Sequence, residues 1–157
     1  MLTDDQRKTI NEVVSQNKNL PGALLPILHG IQDVVGYVPP EAVEAIAKEL
    51  NLSRAEVHGV ITYYHHFKTA PPGKHVVQIC RAESCQSMGA EQLWAHACLQ
   101  LGSDGHSPTS DGMFTVEPAY CLGLCASSPS MAINGKVHAR VNVEKFNKLV
   151  AHARSQA

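Results

Sequence analysis

The chain lacks most of what marks nucleic-acid, membrane or nucleotide-binding proteins. It has no block of like charge: 13 basic and 14 acidic side chains are spread over 157 residues, for a net charge of -1. A phosphate backbone or an anionic membrane surface therefore has little to attract, and no nucleic-acid partner is expected. Nowhere do about 18 apolar residues run together, so direct membrane insertion is not expected either. The opening Met-Leu-Thr-Asp-Asp-Gln-Arg-Lys has neither an apolar stretch nor Arg/Ser-rich amphipathic character, which predicts a soluble, bacterial-type chain in the cytoplasm. No Gly-x-Gly-x-x-Gly follows a strand pattern and no Gly-rich loop ends in Lys-Ser/Thr. The chain alone is accordingly not expected to bind NAD or flavin. Internal repeats and low-complexity segments are also missing.

Cysteine is what the chain does have. Four of its five cysteines form two tight pairs: Cys80 and Cys85 with four residues between them, Cys121 and Cys125 with three, and 35 residues between the pairs. Without a secretion signal, such pairs read better as metal ligands than as disulfides. A chain of this length buries about 70% of its unfolded surface, so a metal is not needed merely to hold it together.

The front half reads as helices. Thr3 and Gln6 form a capping box ahead of Ile10, Val13 and Val14, predicting a helix near residues 4 to 17. After Pro21-Gly22, Leu24, Leu28, Ile31 and Val35 recur at helical spacing until Gly36. Pro39-Pro40-Glu41 opens a third helix with Val43, Ile46, Ala47 and Leu50 inward and Asn51 as its stop. Ser53 and Glu56 cap a fourth, carrying Val57, Val60, Ile61 and Tyr64. Residues 1–70 are thus expected to be a helical bundle, and the Pro71-Pro72-Gly73 break starts a second domain over 71–157.

There the period changes. Val76, Val77 and Ile79 predict a strand ending at Cys80, and Met113, Phe114 and Val116 one ending at Pro118, so each cysteine pair begins where a strand ends. Between them Ala90, Leu93, Trp94, Ala97, Cys98 and Leu101 predict a helix closed by Gly102. Met131-Ala132-Ile133, Asn134-Gly135 and Val137-His138-Ala139 predict a hairpin with a type I′ turn. Asn142 then caps a last helix with Val143, Phe146, Leu149 and Val150 on its face. Strand, helix, strand, hairpin, helix is the order of a thioredoxin-like α/β domain, and the fold class of the whole is α+β / α/β.

Four thiolates at two chain corners suit either a four-cysteine zinc site or a 2Fe-2S cluster. Most zinc ribbons use knuckles of two intervening residues, and neither pair has that spacing; zinc stays open as the centre of a protein-interaction module. A plant-type ferredoxin needs a third cysteine two residues after the second, where Gln86-Ser87-Met88 stands instead. A Rieske centre needs two histidines, and none lies inside either segment. Thioredoxin chemistry needs cysteines two residues apart, and there is no further cysteine set for a 4Fe-4S centre.

The remaining conspicuous residues read as structural. Cys98 lies on the apolar stripe and is expected as a buried core thiol. His65 and His66 point about 100° apart on a helix and are expected to pack at its end rather than share an ion. Met113 and Met131 are expected in the core, and Glu83 in solvent. Arg81 either adds positive charge beside the cysteines or is simply solvated.

Cys80-Arg81-Ala82-Glu83-Ser84-Cys85, Cys121-Leu122-Gly123-Leu124-Cys125-Ala126 and Val57-His58-Gly59-Val60-Ile61-Thr62-Tyr63-Tyr64 resemble the 24-kDa-type subunit of NADH dehydrogenase (complex I) modules over almost the whole chain. Tyr63 departs from that family's usual phenylalanine. The Cys-Arg-Ala-Glu-Ser-Cys-Gln run is most similar to the gamma subunit of molybdenum-dependent, NAD-linked formate dehydrogenases. The resemblance implies a helical bundle followed by a thioredoxin-like domain with one 2Fe-2S cluster, Cys80 and Cys85 on one iron and Cys121 and Cys125 on the other. Such a cluster is an anion, so backbone N–H groups near the sulfurs are expected, with Gly89 and Gly123 allowing close approach. It further implies an electron-transfer subunit without bond chemistry of its own, docked on a flavin- and NAD-binding subunit that has its own iron-sulfur cluster. A molybdenum-containing formate dehydrogenase subunit is expected in the same complex, with respiratory NADH:quinone oxidoreductase or an NAD-reducing hydrogenase as the alternative assembly.

Overall fold

The structure, a computed structural model, describes residues 2–156. The chain divides into two compact units between Pro71 and Pro72.

The first unit is four helices: α1 Asp4–Asn17, α2 Leu24–Val35, α3 Ala42–Leu50 and α4 Arg54–Tyr63. Both capping boxes form. Thr3 Oγ1 accepts from the Gln6 N–H at 3.2 Å while the Thr3 N–H reaches Gln6 Oε1 at 3.0 Å, and Ser53 and Glu56 repeat the exchange on α4. At the other ends Gly36 (φ +90°) and Asn51 (φ +53°) turn left-handed and stop α2 and α3. The core collects Ile10, Val14, Ile27, Leu28, Ile31, Ile46, Val57 and Ile61. Ile27 replaces the expected Leu24 and Val35, which lie at the margin. Tyr64 is not on the buried face as expected; α4 ends before it, and its exposed ring meets Tyr63 and Phe67 edge-on. The Gln32 amide donates to the His66 carbonyl at 2.8 Å and accepts from the Lys68 N–H at 2.7 Å, fastening the chain that seats Phe67 in this core.

The second unit has a four-stranded sheet in the order β2-β1-β3-β4, from β1 His75–Cys80, β2 Phe114–Ala119, β3 Met131–Ile133 and β4 Lys136–His138. β1 and β2 are parallel, with Cys80 opposite Ala119, and the connection between them holds α5 Glu83–Ser87 and α6 Ala90–Leu101. β3 runs antiparallel to β1 and to β4, joined by the tight Asn134-Gly135 turn with φ +49° and +79°. Asn142 caps α7, Val143–Ser155, its Oδ1 accepting from the Lys145 N–H at 2.9 Å. Val77, Ile79, Phe114, Val116 and Met131 from the strands pack with Leu93, Ala97, Phe146 and Val150 from the helices. Gly73 sits where a Cβ would fall 2.6 Å from the Phe114 carbonyl carbon, so no side chain fits there. Val143 is exposed rather than on the buried face, β4 starts one residue early, and α5 had no counterpart in the sequence pattern.

Candidate metal centre

Parallel strands bring their carboxyl ends to one edge of a sheet, and here that geometry gathers the cysteines. Cys80 is the last residue of β1, and Cys121 follows the end of its parallel neighbour β2 by two residues. The Arg81 N–H donates to the Ala119 carbonyl at 2.7 Å and the Cys80 N–H to the Ser130 carbonyl at 3.0 Å, so the first cysteine is locked to the strands on both sides.

Cys85 lies inside the short α5, ahead of the expected helix α6. With Cys80 and Ala90 it forms a small buried cluster against which Ala82 and Leu122 pack. Both cysteines are 1% exposed. Burial by itself pushes the Cys85 thiol up, but hydrogen bonding with Ser128, Ser130 and Cys80 together outweighs it and leaves the thiol below its ordinary value. Its Sγ is 3.4 Å from Ser128 Oγ and 3.5 Å from the buried Ser130 Oγ.

Cys121 and Cys125 are both exposed, their sulfurs 3.7 Å apart. Cys121 has φ +94°, a backbone state that costs a non-glycine residue about 1–3 kcal/mol. Gly123, at φ +77°, turns its N–H onto Cys121 Sγ at 3.4 Å, which is the backbone donor expected near the sulfurs. Both glycines are left-handed: a Cβ on Gly123 would meet no atom of the chain within 4 Å, and one on Gly89, the residue before α6, would meet only the flexible Gln92 side chain. The Cys125 thiol is raised, first by its hydrogen bond with Cys121, then by the charge of the same neighbour and more weakly by burial and by Cys85 and Cys80.

The structure thus brings Cys80 to Cys85 and Cys121 to Cys125, and the two pairs face a common edge. Among the described residues no three His, Cys, Asp or Glu side chains gather tightly around one point. Two pairs of soft donors suit two irons sharing sulfides, each taking two thiolates. Serines join the pairs: Ser84 Oγ donates to the Cys125 carbonyl at 3.0 Å, Ser128 Oγ reaches the same carbonyl at 2.9 Å, and the two hydroxyls are 3.0 Å apart. Ser128 and Ser130 escaped the sequence reading because they follow the second pair, and only the pairing of β3 with β1 carries them back to Cys85.

Arg81 is neither freely solvated nor turned to the sulfurs. Its guanidinium grips Glu91 with two hydrogen bonds of 2.9 and 2.7 Å and lies over the Trp94 ring at 4.9 Å. Cys98 is half-buried at the core margin rather than within it, and burial is the main reason its thiol is raised. Met131 is fully buried and Met113 partly so; Glu83 is exposed. His65 and His66 follow the end of α4, where the His66 ring lies 4.9 Å from that of His29 and meets Phe67 edge-on. No described helix is long and apolar enough to cross a membrane.

Comparison with known proteins identifies relatives over nearly the full length. The family described as thioredoxin-like [2Fe-2S] ferredoxin matches residues 10–154. The chain is 31% identical over 156 residues to NADH-quinone oxidoreductase subunit 2 of Thermus thermophilus, covering 98% of this chain and 82% of that one. It is 32% identical over 143 residues to NADP-reducing hydrogenase subunit HndA of Solidesulfovibrio fructosivorans, covering 89% and 84%. Among solved structures, an NAD+-reducing [NiFe]-hydrogenase in the H2-reduced state superposes with a TM-score of 0.72 at 22% identity, a likeness of fold over 85% of this chain. That match spans about a fifth, 22%, of the hydrogenase chain.

Proposed function

The chain belongs to the thioredoxin-like 2Fe-2S ferredoxin family, and from that premise we propose that it is the one-electron subunit of an NAD-linked oxidoreductase complex. Its cofactor is a 2Fe-2S cluster, for which Cys80 and Cys85 hold one iron and Cys121 and Cys125 the other. The observation that carries this assignment is the placement of both pairs at one edge of the sheet by the parallel pairing of β1 and β2. Bound there, the cluster supplies reversible storage of a single electron. The protein's own contribution is orientation and insulation: Cys80 and Cys85 are fixed out of water, Leu122 packs against them, and Cys121 and Cys125 stay at the surface.

An exposed ligand pair supports exchange of electrons with a docked partner, and we assign that partner as a flavin- and NAD-binding subunit with its own iron-sulfur cluster. The relatives named above favour a complex of the NADH-quinone oxidoreductase or hydrogenase type. A second reading, the NAD-linked molybdenum formate dehydrogenase, rests on the Cys80 to Gln86 run alone.

Co-purification from the native host under anaerobic conditions separates the assemblies. A flavoprotein should come down in every case. Quinone-reducing membrane subunits or a nickel subunit with hydrogen-dependent reduction of NAD(P) support the first reading, and formate-dependent NAD reduction with a molybdenum subunit supports the second. A colourless chain with zinc and no flavoprotein would contradict both.

A further inference from the structure

We propose that Ser128 and Ser130 donate their hydroxyl protons to the Cys85 sulfur in the cluster-loaded protein, with Ser84 holding the Cys125 carbonyl, and that these serines thereby set the reduction potential. The proposal rests on the assignment of Cys85 as an iron ligand.

It follows from counting protons. A neutral Cys85 thiol has a proton of its own, its sulfur lies 3.4 Å from Ser128 Oγ, and both Ser84 and Ser128 donate to the carbonyl of Cys125. One carbonyl with two hydroxyl donors is served twice. Metal ligation removes the thiol proton and makes Cys85 an acceptor only. Ser84 alone then satisfies the carbonyl, and rotation about the Cβ–Oγ bond of Ser128 turns its proton to the sulfur without moving a heavy atom. Ser130 needs no such exchange. It is 1% exposed, and the only side-chain partner within hydrogen-bond distance of its hydroxyl among the described residues is Cys85 Sγ.

Donors to a ligating sulfur withdraw charge from it, and the form with the extra electron gains more from them than the oxidised form does. The serines should therefore raise the potential. Ser84 acts one step removed: by holding Cys125 it frees Ser128, so it is a positioning residue, and it also ties the exposed pair to the buried one.

The test is a redox titration of the purified, cluster-loaded full-length chain, with iron counted in every sample. In the Ser128→Ala/Ser130→Ala double variant the reduced-to-oxidised ratio at the wild-type midpoint should fall about tenfold, equivalent to ~59 mV for one electron. Iron content should stay at the wild-type level, and Ser128→Thr, which retains a hydroxyl, should titrate like wild type. Should the double variant fail to load, pulsed electron-nuclear spectroscopy of the reduced wild type in deuterated buffer decides. Exchangeable deuterons coupled to the cluster and diminished in Ser130→Ala support the proposal, and their persistence unchanged in that variant overturns it. An unaltered midpoint in a loaded double variant overturns it as well. Failure of the underlying ligand assignment reads differently: Cys85→Ala would then retain its full iron.

Discussion

Cys80 and Cys85 are buried in the framework, one at the end of a central strand and one in a short helix, whereas Cys121 is a left-handed residue on an exposed loop and Cys125 opens an exposed 3-10 turn, Cys125–Ser127. The thiol acidities run opposite to what exposure alone would give. Buried Cys85 is pulled below its ordinary value by surrounding hydroxyls, although burial opposes this, and exposed Cys125 is raised chiefly by its partner Cys121. Neighbours outweigh burial at this site. The surroundings of Cys85 thus favour loss of its proton, whereas the neighbouring sulfur of Cys121 disfavours the charged form of Cys125.

The contrast can be attacked directly. Alkylation of the cluster-free protein, followed by peptide mass spectrometry, should modify Cys121 and Cys125 about a hundredfold faster than Cys80 and Cys85, because an opening that costs ~3 kcal/mol limits the buried pair. Equal rates for all four would remove the contrast. Phe114→Ala should abolish it from the other side: the ring is fully buried beneath the sheet, its loss costs about 3–5 kcal/mol, and the framework pair should become nearly as reactive as the loop pair. Calorimetry should place that loss in the second unit, and Ile27→Ala, at about 2–5 kcal/mol, in the first. Gly123→Ala places a side chain on a left-handed residue and should cost about 1–2 kcal/mol, seen as faster amide exchange across residues 121–125. Ser84→Ala removes one bond between the pairs and should loosen the same loop by about 1 kcal/mol, leaving β1 unaltered.

The smallest effect comes from a loop held without cysteine. Asp104 accepts from the N–H groups of Ser107 and His106 at 2.7 and 2.9 Å, which lowers its pKa to about 2. A carboxyl depressed in the folded state stabilises fully above its ordinary value of 3.8 and loses that contribution as pH falls through about 2. Amide shifts of residues 104–107 should titrate there, and a transition near 4 would contradict the hydrogen bonds.

Local signals were strong enough to read most elements from the sequence. Two capping boxes, the stops at Gly36, Asn51 and Gly102 and the Asn-Gly hairpin all depend on residues within a few positions of one another, and all are where the pattern puts them. Misses arose where tertiary context decided. α5 is too short to show a period, so the sequence pattern showed only the helix that follows Cys85 and not the one that contains it. Cys98 and Trp94 follow the stripe but lie at the margin of the core, where Arg81, paired with Glu91, covers the Trp94 ring. At the site, the cysteine pairs were visible as spacing. The serines joining them lie over 40 residues from Cys85 and become its neighbours only through strand pairing.

The central claim is that Cys80, Cys85, Cys121 and Cys125 together hold one 2Fe-2S cluster. Iron, zinc and sulfide analysis with electron paramagnetic resonance, on anaerobically purified wild type and on each cysteine replaced singly by alanine, tests it most directly. The account predicts two irons and two sulfides with a rhombic signal on reduction in wild type and in Cys98→Ala, and loss of that signal in each of the other four variants. Zinc in place of iron in the wild type, or an unaltered signal in any of those four, would contradict it.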